Sequence, residues 1–152
     1  MPSLGLANNI TSKPEHRQLM PTDVEYFNTG AGAFLGNTVN AVNLVTGKRL
    51  SVRATATEGY THRTFSVTPG VTYTFSIQFN HQGGTPQSTG LLQLGNTDGG
   101  VDLIDEGFAG STNNYSTTII PTGSVIYLRL VTVTNTKYCY WDNVTLEETV
   151  VY

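Results

Sequence analysis

Polar and apolar residues alternate along much of this chain. In VTYTFSIQFN, the residues Val71, Tyr73, Phe75, Ile77 and Phe79 fall on one side and Thr72, Thr74, Ser76, Gln78 and Asn80 on the other. That period of two is what a strand with one buried face requires. Leu50, Val52, Ala54 and Ala56 alternate in the same way with Ser51, Arg53, Thr55 and Thr57. Over residues 125–134, Ile126, Leu128 and Leu130 supply a core face and leave Tyr127 and Arg129 on the other. Shorter strands are predicted at 24–27, 39–45, 64–67, 91–94, 101–104 and 115–120.

Turn signals separate these runs. Thr46-Gly47-Lys48 and Asn135-Thr136 read as tight turns, and in Pro69-Gly70 the glycine suits the second central position of a type II turn. Residues 28–37, 81–90 and 96–114 read as loops, the last being the longest irregular stretch. No window repeats apolar residues at helical spacing. About eight to ten strands divided by regular turns predict an all-β chain folded as a jelly-roll β-sandwich of two antiparallel sheets.

The run KYCYWDNVTLEE, residues 137–148, holds the only tryptophan and the only cysteine. It is expected to close the sandwich, with Val144 and Leu146 in the core and Asp142 tying down a chain end. Residues 1–22 lack periodicity and carry Pro2, Pro14 and Pro21. They are expected to form an extended N-terminal arm on a domain spanning 23–152, with Leu4, Leu6, Ile10, Arg17 and Leu19 as its partner-binding residues.

Length and composition narrow the possibilities. A chain of 152 residues is the size of one domain. Only 12% of its residues are charged and the net charge is -3 without long runs, so the basic stripe that nucleic acid demands is missing. No stretch reaches the roughly 18 apolar residues of a membrane helix. The start lacks the basic and apolar regions of a secretory signal. A single Cys139 excludes an internal disulfide and reads as a small buried hydrophobe.

Catalytic constellations are missing too. His16, His62 and His81 lie far apart and lack metal-site spacing. Asp98, Asp102, Asp105 and Glu106 fit neither a calcium loop nor an acid and base pair, and read as a solvated turn. No nucleophile-elbow, Walker or Rossmann signature occurs. The expectation is a protein that is not an enzyme and requires no cofactor.

GKRLSV at 47–52, FSVTPGVTYTFS at 65–76 and YWDNVTLEE at 140–148 together resemble carbohydrate-binding modules of families 4 and 9, over residues 37–148. The resemblance implies a jelly roll, and it implies that Asp142 is a ligand of a structural calcium, completed by backbone near Thr46 and Lys48 and by Glu25. The family's usual opening Asn-Gly-x-Phe-Glu strand is not matched; Asp23 and Glu25 are the nearest carboxylates. The competing reading of Asp142 is a carboxylate satisfied by backbone N–H groups. The resemblance also implies sugar stacking on aromatic faces, for which the candidates are Tyr60, Phe108, Tyr115, Tyr127 and Trp141, with Gln78, Gln93 and Arg129 as polar partners. For each aromatic the competing reading is core packing.

Two functions follow as expectations. The first is a virion structural protein, a phage capsid decoration or tail-associated protein at the virion surface, its arm gripping a major capsid or other shell protein. It rests on a stand-alone domain with Met1, no export signal, a polar arm and no linker to a catalytic module. The opening SLGLANN also resembles the starts of phage virion proteins. A homo-oligomer, with a trimer as the guess, and adhesion to host-surface glycans belong to this reading. The alternative is an extracellular carbohydrate-binding module that targets an enzyme to a polysaccharide.

Overall fold

The computed structural model describes residues 14–18, 35–36, 40–45, 49–54, 59–84, 87–110, 112–133 and 137–151, and side chains from Arg49 to Glu148 within these. Eleven strands occur among them: β1 (Pro14–Gln18), β2 (Leu35–Gly36), β3 (Asn40–Val45), β4 (Arg49–Ala54), β5 (Gly59–Ser66), β6 (Tyr73–His81), β7 (Thr89–Gly95), β8 (Ile104–Ala109), β9 (Asn113–Ile119), β10 (Val125–Thr132) and β11 (Tyr138–Val151). No helix is present among the described residues. The first sheet runs β9-β6-β11-β4-β3, with β1 also paired to β11, and the second runs β2-β5-β10-β7-β8. All the pairings are antiparallel. The chain forms the jelly-roll sandwich that its alternation predicts.

Alternation explains the core. From the first sheet Leu50, Val52, Tyr73, Phe75, Ile77, Phe79, Cys139, Trp141, Val144 and Leu146 point inward, to meet Phe65, Leu92, Leu94, Ile104, Ile126, Leu128 and Leu130 of the second. Burying one Leu or Phe side chain is worth about 1.5–3 kcal/mol. The side chain of Thr132 crosses between the sheets, its Oγ1 donating to the carbonyl of Val52 at 2.7 Å.

One irregularity keeps β11 in phase. Its inward residues are odd-numbered up to Trp141 and even-numbered from Val144. The register accommodates this: Asp142 is opposite Gln78, but Thr145 is opposite Ser76, so β11 carries one residue more than β6. The surplus is a bulge, and within it Asn143 has φ +50. Asparagine tolerates that left-handed region better than other side chains except glycine. Its Nδ2 donates to Gln78 Oε1 at 2.9 Å, pinning the bulge to β6. Without the extra residue, Val144 and Leu146 would turn to solvent.

Several boundaries differ from those expected. The strand expected at 101–104 is instead Ile104–Ala109, because Val101 is 42% exposed and stands outside the core. Residues 113–114, expected in a loop, begin β9. The strand expected at 64–67 starts five residues earlier, at Gly59, where Thr61 rather than an apolar residue takes the inward position. The type II turn is present: Gly70 has φ +80 and the Val71 amide donates to the Thr68 carbonyl at 3.3 Å. The strand expected at 24–27 lies outside the described residues.

Part of the expected arm is a strand of the domain's own sheet. Residues 14–18 pair with 147–151 of β11, placing Arg17 opposite Glu148. Leu4, Leu6, Ile10 and Leu19 lie outside the described residues.

Candidate functional site

Four of the expected sugar-contacting residues meet on the outer face of the second sheet. In β5, Tyr60 and His62 turn outward because Thr61 and Phe65 turn in; in β10, Tyr127 and Arg129 do so because Ile126, Leu128 and Leu130 are core. Gln93 stands outward between Leu92 and Leu94 of β7. Register then lines up a polar row across four strands: His62 opposite Arg129, Arg129 opposite Gln93, and Gln93 opposite Asp105.

Arg129 is the hub of this face. Its guanidinium carbon lies 4.2 Å from the centre of the Tyr60 ring, and Nη2 donates to Asp98 Oδ1 at 3.3 Å. The Tyr60 and His62 rings are 6.0 Å apart and tilted. Asp98 is 71% exposed, so this ion pair contributes little to stability and its effect is to orient the guanidinium. The loop bearing Asp98 comes close enough that a Cβ on Gly99 would sit 3.2 Å from Arg129 Nη2. Arg129 Nε is buried and has no hydrogen-bond partner.

That loop is held by its own side chains. Asp102 accepts from the Asn96 amide at 3.0 Å and from Asn96 Nδ2 at 2.6 Å. Asn96 Oδ1 in turn accepts from the Thr122 amide at 2.9 Å. The hydrogen bonds from Asn96, side chain first and then backbone, hold the Asp102 carboxyl below its ordinary value. Of the four acidic residues expected to form a solvated turn, Asp98 and Asp102 therefore have specific partners.

Three other candidates pack in or against the core, and the full burial of Trp141 corrects the expectation that it contacts ligand. Trp141 is fully buried, with its ring 5.0 Å from Phe79 and 6.0 Å from Phe108. Phe108 stacks on Phe79 at 5.3 Å, and Tyr115 meets the edge of Phe108 at 5.8 Å. All sit at inward parity on their strands; Trp141 is sealed in the core, and Phe108 and Tyr115 are half-buried against it. Burial, ahead of the charge of Glu106, pushes the Tyr115 hydroxyl up. Gln78 is outward but on the first sheet, where it holds Asn143.

Tyr138 and Tyr140 were missed, although the sequence signalled them: Cys139 and Trp141 pointing in forces both tyrosines out. His62 and Asp98 were missed as contributors to the Arg129 face because only strand register and loop closure bring them there.

For the implied calcium, Asp142 is half-buried on the outer face of the first sheet and accepts from the Asn143 amide at 2.8 Å. Burial raises its carboxyl, against the Asn143 hydrogen bond and the nearby Arg49 charge. Glu25, Thr46 and Lys48 lie outside the described residues. Among the described residues no group of three His, Cys, Asp or Glu side chains gathers to hold a metal.

No protein-family model matches the sequence, and no curated protein matches it. Solved structures do match in fold. The xylan-binding domain CBM22-1 of Paenibacillus barcinonensis Xyn10C superposes with a TM-score of 0.57 at 12% identity, over 82% of this chain and 91% of that one. TmCBM61, solved in complex with β-1,4-galactotriose, gives 0.58 at 11% identity, over 86% and 97%. The arabinose-bound α-L-arabinofuranosidase MgGH51 gives 0.63 at 10% identity over 86% of this chain but only 26% of that enzyme. The chain has the jelly-roll fold seen in carbohydrate-binding modules, and it matches two of them over nearly their whole length.

Proposed function

We propose that this protein is a carbohydrate-binding module that holds a polysaccharide on the outer face of its second sheet, without catalysing a reaction. The observation that carries the reading is the Arg129–Tyr60 pair, flanked by His62, Gln93 and Tyr127 on one continuous face. A pyranose has an apolar C–H face and a rim of hydroxyls. Tyr60 and Tyr127 offer ring surface to the first, and Arg129, Gln93, His62 and Asp98 offer donors and acceptors to the second. The fold shared with a xylan-binding domain and with a galactotriose complex supports this substrate class. An extracellular location fits such a partner.

The comparisons favour this reading over a virion role, and the pairing of residues 14–18 with β11 leaves less of the N-terminal segment to act as a free grip. Affinity electrophoresis and calorimetry with soluble xylan, β-1,4-galactan and β-glucan test the proposal. Binding to at least one, abolished by Tyr60→Ala and by Arg129→Gln, is the expected result. No binding to any of a broad glycan panel would overturn it.

A further inference from the structure

A second polar and aromatic surface lies on the opposite side of the sandwich. On the outer face of the first sheet the Tyr138 and Tyr140 rings are parallel to within 4°, with centroids 6.2 Å apart. Each carries a guanidinium: Arg53 Cζ is 5.7 Å from the centre of Tyr138, and Arg49 Cζ is 4.3 Å from that of Tyr140. Strand β4 supplies both, Arg53 standing directly opposite Tyr138 and the buried Ser51 opposite Tyr140. These cation–π contacts hold the rings in place before any ligand arrives. No carboxylate among the described residues is within ion-pair distance of Arg53, and its Nε is buried with no hydrogen-bond partner.

The same face continues into a hollow rimmed by amides. Asp142 is opposite Gln78, and Gln78 is opposite Asn114. With Ser76, Ser116 and Asn143 at the bulge, and with Ile77 and Tyr115 supplying apolar surface, Gln78 and Asn114 line a depression of about 230 Å³. Tyr138 and Asp142 are four residues apart on one strand, about 13 Å at the usual rise. The strip therefore runs from Arg53 across the two tyrosine rings to Arg49 beside Asp142, and on to the amides.

We propose that this strip is a second saccharide site, separate from the Arg129 face, and that its ligand is an acidic oligosaccharide carrying uronate carboxylates. Arg53 takes a carboxylate, the geometry a guanidinium fork matches best. Tyr138 and Tyr140 present ring surface to the sugar C–H groups. Gln78, Asn114, Asn143 and Asp142 read hydroxyls at the far end. The net charge of -3 opposes indiscriminate capture of polyanions, so binding of an acid here reports a local site.

The experiment titrates the full chain with a galacturonate trisaccharide and with its methyl ester, by calorimetry and by amide shift mapping. The acid is expected to bind more tightly than the ester and to shift amides at residues 138–143. Arg53→Gln should weaken the acid about tenfold or more, the worth of a charge-assisted hydrogen bond, and leave the ester unchanged. Tyr138→Ala should weaken both, and Tyr60→Ala neither. Equal affinity for acid and ester, no binding of the acid, or loss on Tyr60→Ala in place of Tyr138→Ala would overturn the proposal. Should a variant misfold, the shifts in the unmodified protein decide alone: perturbation confined to the Arg129 face refutes the second site. Failure here leaves the Arg129 face untouched, since xylan and galactan binding test that separately.

Discussion

The guanidinium of Arg129 covers the ring of Tyr60 at 4.2 Å and reaches on to Asp98 at 3.3 Å. One side chain thus joins a strand to the loop that borders it. Arg129→Lys keeps the charge and loses the planar stack. Glycan affinity should fall by about tenfold, while urea unfolding shifts by less than about 1 kcal/mol because the pair is at the surface. Calorimetry beside urea titration separates the two effects.

Gly90 makes room for the aromatic cluster. A Cβ there would lie 2.8 Å from Phe79, 3.1 Å from Cys139 Sγ and 3.2 Å from Trp141. Gly90→Ala should cost about 1–3 kcal/mol as overpacking, seen as a lower urea midpoint with an unchanged slope.

The bulge residue makes a sharper pair of variants. Asn143→Val places a β-branched side chain at φ +50 and removes the bond to Gln78; a loss of about 2 kcal/mol or more in urea stability is expected. Asn143→Gly removes the same bond without backbone strain and should cost distinctly less. Equal losses would show that the hydrogen bond, and not the backbone, sets the penalty.

Asp142 makes stability depend on pH. Its carboxyl is raised, first by burial, so the folded chain holds this proton more tightly than the unfolded one. The contribution is complete below the unfolded value and is lost as pH rises through the raised folded value. Asp102 acts oppositely: its lowered carboxyl favours the folded state above the unfolded value and withdraws that favour as pH falls through the lowered one. Asp142→Asn should remove the loss on the rising side and leave the acid-side loss in place, in urea titrations from about pH 3 to 7.

Cys139 is fully buried, and burial pushes its thiol up. A thiol-reactive dye should leave the native protein unlabelled over hours and react once urea unfolds it. Rapid native labelling would contradict the packing described for β11.

How much was legible depends on parity. Strand β6 announced itself because every second residue from Tyr73 to Phe79 is large and apolar, a pattern only one buried face explains. Strand β8 hid because IDEGFA buries only Ile104 fully, so Phe108 looked like a loop aromatic free to meet ligand. Trp141 drew attention as a rare residue, yet its parity matched Cys139 and assigned it to the core. The grouping of Tyr60, Arg129 and Gln93 was beyond reach in a different sense. Those residues come from three strands separated by long loops, and only hydrogen-bond register sets which of them are neighbours.

The burial of Trp141 has an optical consequence. As the chain's only indole, sealed between the sheets and out of contact with either outer surface, it emits from a dry environment and reddens only when the sandwich opens. Both proposed ligand surfaces carry tyrosines instead. Selective excitation of tryptophan therefore follows unfolding without responding to bound sugar, and tyrosine absorbance follows occupancy of the surfaces, so a single unlabelled sample yields both quantities.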